Sequence, residues 1–71
     1  MYLRELQRDG HTCRFLIIQF KGQGWEVREE RDREILSRRQ LRDWHRVEGA
    51  RMVIATEVAQ LRAAGWTEVS S

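Results

Sequence analysis

The chain has 71 residues, 41% apolar and 34% charged, with a net charge of +2. That length makes a single domain, residues 1–71, near the small end of what folds alone, and 13 basic against 11 acidic side chains is too even a balance to mark a nucleic-acid binder by charge. One cysteine, Cys13, excludes an intrachain disulfide and a cysteine metal cluster, and the longest apolar run, FLII, is too short to cross a bilayer.

The opening MYLRELQRDG has no apolar segment of signal-peptide length, which together with a lone thiol points to a reducing, cytoplasmic setting. Residues 2–7 read as a first short strand, although Tyr2, Leu3 and Leu6 also suit a helical turn. Asp9-Gly10 is a hairpin signal, because tight hairpin turns need positive φ. The second strand, residues 12–20, contains RFLIIQF and is apolar on both faces: Phe15 and Ile17 on one, Leu16, Ile18 and Phe20 on the other. KGQG, Lys21 to Gly24, supplies the next turn. The third strand, 25–30, alternates at first, with Trp25 and Val27 facing one way and Glu26 and Arg28 the other. A charged turn near Arg31-Asp32 leads to a short fourth strand, 34–37. All these links are short, so the sheet reads as an antiparallel meander.

The rest reads as one long helix, 38–64, opened by a capping box from Ser37 to Gln40, with Asp43 as a competing start. Gly65 closes it and Trp66 folds back onto Leu61, leaving 67–71 as a tail. Trp44, Val47, Ala50, Ile54, Ala55, Val58 and Leu61 share the face that covers the sheet. Met52, Thr56, Ala59 and Ala63 form a weaker stripe opposite. A helix of that span is about 35–40 Å long against about 20–27 Å for the strands. It therefore overhangs the sheet, docks elsewhere or bends, Gly49 being the natural hinge. The expected class is α+β, a meander of three or four antiparallel strands packed on one long C-terminal helix.

The order of strands around RFLIIQF, the closing LRAAGW and its Gly-aromatic end resemble the small WGR domains. The Trp-Gly-Arg signature is absent and its place is taken by REERDREIL. The resemblance thus implies a layout and not the nucleic-acid contact made through that signature. DWHRVEGARM is also similar to small uncharacterised bacterial proteins, which imply no activity.

Residues that carry chemistry are sparse. His11 and Cys13 share a strand face, but nothing supplies a third catalytic group or an oxyanion hole. His11, Cys13 and His45 are too few for a zinc site. The carboxylates from Glu26 to Glu34 are interleaved with arginines, which reads as a solvated, self-paired edge. No catalytic residue, cofactor, metal or small-molecule substrate is inferred. Two binding readings follow. The first is a non-enzymatic interaction module, a homodimer or a partner for another protein, with Leu16, Ile18 and Phe20 or the overhanging helix as the contact. The second is nucleic-acid binding through Arg38, Arg39, Arg42 and Arg46, clustered around the helix start against Asp43 alone.

Overall fold

A computed structural model describes residues 2–69. Strand β1 (Tyr2–Arg8) is followed by β2 (His11–Phe20), β3 (Gly24–Arg31), β4 (Glu34–Leu41), helix α1 (Trp44–Ala63) and a short β5 (Thr67–Glu68). The strands form one antiparallel sheet in the order β4-β3-β2-β1-β5, and the helix covers one of its faces. The fold class is α+β with a C-terminal helix, as the periodicities indicate.

The turns follow local chemistry. Asp9 and Gly10 both take positive φ, at 51° and 81°, the pairing that matches the twist of a two-residue hairpin. It sets a register in which Leu6 faces Cys13 and Leu3 faces Leu16. The β3–β4 turn lies at Asp32-Arg33, where the Asp32 carboxylate accepts from the Thr12 backbone N–H (2.9 Å) and contacts His11 Nδ1 (2.9 Å). These two bonds hold the Asp32 carboxyl below its ordinary pKa, the backbone N–H contributing more.

The helix begins later than the capping box at Ser37 suggests. Residues 38–41 stay in β4, with Arg38 opposite Arg28, Arg39 opposite Val27, Gln40 opposite Glu26 and Leu41 opposite Trp25. Ser37 sits opposite Glu29 in the sheet, and Gln40 donates its side-chain amide to the Gln23 carbonyl (2.9 Å). The reason is ladder hydrogen bonding together with burial of Leu41, which helical pairing would forfeit. The competing signal prevails: Asp43 is the N-cap, its Oδ1 accepting from His45 N at 2.9 Å. A 20-residue helix is about 30 Å long, close to the roughly 33 Å of a ten-residue β2. The expected overhang is therefore gone, and α1 runs unbroken through Gly49.

The core lies between α1 and one sheet face. Leu6, Cys13, Phe15, Ile17 and Leu41 meet Val47, Ala50, Ile54 and Val58, with Tyr2, Trp25, Val27, Leu61 and Trp66 packed around them. Two residues assigned to the helix core stripe lie elsewhere: Ala55 is exposed and Trp44 is 48% exposed. The stripe through Met52, Thr56, Ala59 and Ala63 faces solvent, Met52 at 73%.

The end of the chain also differs from a tail. Trp66 N–H donates to the Leu61 carbonyl (3.0 Å), which turns the chain back toward the sheet. Thr67 and Glu68 then pair with Gln7 and Leu6 as an edge strand. Residues 70–71 of the expected tail lie outside the described residues. Arg4 grips Glu68 with both arms of its guanidinium, Nη2 to Oε1 at 2.9 Å and Nε to Oε2. Arg8 Nη1 donates to the Ala64 carbonyl at the helix end (2.6 Å).

The Arg4 fork holds the Glu68 carboxyl below its ordinary value. A depressed carboxyl stabilises the fold above its unfolded pKa, and that contribution disappears as pH falls through the folded pKa. Stability is accordingly expected to be level near neutrality and to decline on acidification below about pH 4.5, the ordinary glutamate value. Glu68→Gln should lower stability at neutral pH and flatten the acid slope. Urea unfolding followed across this range is the check; an unchanged acid slope in the variant would assign it to other carboxylates.

Candidate functional site

Cys13, Phe15 and Ile17 pack against the helix, so alternation turns Arg14, Leu16, Ile18 and Phe20 to the outer face. No element of the described chain lies over that face. Leu16, between Leu3 and Arg28 in register, is nevertheless only 5% exposed. The cover around it is a chain of ion pairs. Arg14 Nε lies 3.1 Å from Glu5, and its Nη1 lies 3.2 Å from Glu30. Arg28 contacts Glu30 at 3.4 Å and donates from Nε to Glu26 at 3.0 Å. Arg38 reaches the other oxygen of Glu26 at 3.3 Å. Carboxylate and guanidinium alternate across four strands, and their aliphatic stems lie along the sheet. Glu26 also relieves the like-charge contact of Arg28 with Arg38, which stand opposite each other.

Along β2 the cover thins. Ile18 is half-buried, Phe20 is 41% exposed, and Leu3, beside Leu16, is 39% exposed. The predicted contact residues are therefore unequal: Leu16 is sealed by its own chain, and Ile18 and Phe20 lead out to an open margin.

The four arginines do not share a helix face. Because β4 extends to Leu41, Arg38 and Arg39 point to opposite sides of the sheet, Arg38 into the ion-pair chain and Arg39, opposite Val27, toward the helix side. Arg42 and Arg46 line a shallow hollow with Gln40, Leu41 and Asp43 at the β4–α1 junction.

Cys13 is fully buried, and burial pushes its thiol pKa up. His11 is exposed and pairs with Asp32 rather than approaching that thiol. Among the described residues, no three His, Cys, Asp or Glu side chains converge as a metal cage. No helix of the described residues is long and apolar enough to cross a membrane.

A cleft that sequence reading misses lies between the start of α1 and the sheet. Ile17 and Val47 are its buried, apolar floor, Tyr2, Trp25 and Trp44 its walls, and Gln19 and Arg51 its rim. Its volume is about 270 Å³. Trp25 and Trp44 are tilted at 55° with ring centroids 5.6 Å apart, a favoured aromatic geometry. The Trp44 indole N–H donates to Glu48 (2.9 Å), which fixes the ring on the helix surface. The Arg51 guanidinium lies 5.0 Å from the Tyr2 ring centroid. Among the described residues, no carboxylate lines the cleft.

No family model, curated protein or solved structure matches the chain. Its functional reading rests on these surfaces.

Proposed function

We propose that the protein is a small non-enzymatic interaction module that associates with a second copy of itself through the outer sheet face, at the margin formed by Leu3, Ile18 and Phe20. The observation that carries this is the apolar run of β2 emerging from beneath the ion-pair chain onto a face that no other element of the described residues covers. The neighbouring charges favour a second copy over a strongly charged partner. Glu5, Glu26 and Glu30 alternate with Arg14, Arg28 and Arg38, so the face is neutral in sum and complementary to itself under a twofold rotation. The face is a better contact than the free edge of β4, which carries Arg38, Arg39 and a bulge opposite Glu29 and Glu30, devices that discourage edge pairing.

The association is weak. Fully burying Ile18 and Phe20 from both copies contributes at most about 6–12 kcal/mol, against roughly 4–15 kcal/mol for lost rigid-body freedom. A dimer visible at high micromolar concentration is the expected result in sedimentation velocity and light scattering. Ile18→Glu and Phe20→Glu should each yield folded monomers with unchanged far-UV dichroism, since neither position lies in the core. A wild-type chain that stays monomeric at the highest soluble concentration would overturn the proposal.

A further inference from the structure

We infer that the cleft between α1 and the sheet is a binding site for a small planar aromatic anion, one ring system bearing a carboxylate or phosphate. This inference is independent of self-association, because the cleft opens on the helix side of the sheet and the proposed dimer contact is on the other.

Three features point to this class of ligand. The walls are aromatic, and Trp44 is 48% exposed, so a ring can be stacked without displacing core residues. The floor is apolar and buried, Ile17 at 4% and Val47 at 2%, so a polar body gains nothing from going deep while a flat apolar one does. Among the described residues, the one charge in the lining is the Arg51 guanidinium at the mouth. A bound anion would meet a planar, bidentate donor already ordered against the Tyr2 ring. The volume of about 270 Å³ falls just under the roughly 300 Å³ at which pockets for drug-sized molecules begin. That limits the occupant to a single ring system.

An aryl phosphate and an aromatic carboxylate share this chemistry, and the test separates them. Phenyl phosphate and indole-3-acetate are titrated against the full chain by amide chemical-shift mapping and tryptophan fluorescence. Phenol, indole and inorganic phosphate serve as the matched neutral rings and the bare anion. At least one ring-bearing anion should shift the resonances of Tyr2, Gln19, Trp25 and Trp44, with its neutral counterpart several-fold weaker and inorganic phosphate without effect. The anion that binds identifies the source. Trp44→Ala should weaken binding by about fivefold or more, as loss of a stacking wall does. Arg51→Gln should weaken the anion and leave the neutral ring unchanged, a split that a merely structural role for Arg51 would not produce. Both positions are exposed, so the fold should persist; if Trp44→Ala fails to fold, the wild-type comparison of ring, anion and ring-anion decides with Arg51→Gln. Binding must also survive Ile18→Glu. The inference is overturned if neither anion perturbs the cleft at millimolar concentration, if phosphate alone reproduces the shifts, or if Arg51→Gln matches wild type. It is equally overturned if only an oligodeoxythymidine strand binds and Arg42→Glu or Arg46→Glu abolishes it. That outcome would assign the helix start to nucleic acid.

Discussion

Gly24→Ala is expected to destabilise the protein by about 2–4 kcal/mol, which combines left-handed backbone strain with overpacking. Gly24 opens β3 at φ +83°, and a Cβ there would stand 2.3 Å from the Leu41 carbonyl oxygen and 3.1 Å from Arg42 Cα. Both obstacles are backbone, so no side chain can swing aside. The contact is where β3 begins and β4 ends, the corner from which the chain leaves the sheet for Asp43 and the helix. Gly22→Ala is the control: it shares a positive φ, +75°, but has nothing within 4 Å, so it should lose only about 1 kcal/mol. A domain of this size has roughly 4–10 kcal/mol in hand. The Gly24 variant should melt roughly 10–25 °C lower in a thermal dichroism scan. Equal losses at the two glycines would show that the close approach to Leu41 is not made in solution.

Leu6→Ala is expected to cost about 2–5 kcal/mol, up to half or more of the total stability. Leu6 is fully buried, faces Cys13 on one side and Glu68 on the other, and joins the cluster with Val58 and Ile54. Its loss leaves a cavity closed by sheet and helix, which relaxes little. Leu16→Ala removes the same atoms from a position almost as buried, at 5%, but under a roof of Arg and Glu stems that can settle into the gap. Its cost should fall at the low end of that range, about 2 kcal/mol. Urea unfolding of both variants at a concentration where the chain is monomeric compares them directly. If Leu16→Ala matched Leu6→Ala, the outer face would be a second rigid core and not a surface sealed by mobile charges.

The contrast between these two leucines shows how far local pattern reaches. The hairpin at Asp9-Gly10, the doubly apolar β2, the Trp25–Val27 alternation and the helix face through Val47, Ala50, Ile54 and Val58 are all legible in the sequence. Each depends on period or turn chemistry that neighbours along the chain already specify. The helix start was ambiguous for the same reason: Ser37-Arg38-Arg39-Gln40 satisfies a local capping rule, and only pairing with β3 outweighs it. The cleft had a signal of a different kind. In an antiparallel meander the start of β1, the end of β2, the start of β3 and the start of a helix following β4 lie at one end of the sheet. Tyr2, Gln19, Trp25 and Trp44 occupy those positions, so once the topology is known their convergence follows.

The amino-acid sequence by itself determined the α+β class, the Asp9-Gly10 hairpin and the helix face through Val47, Ala50, Ile54 and Val58, because hydrophobic period and positive-φ turns act over a few neighbours; the sheet order, and with it the face of β2 that the helix covers, came from the tertiary structure. Only the tertiary structure decided what lies on the other side of β2. Six side chains from four strands alternate in sign there, an arrangement fixed by cross-strand register. Their spacing along the chain reads merely as a charged surface, since ion pairing between strands depends on which residues face each other and not on which follow each other.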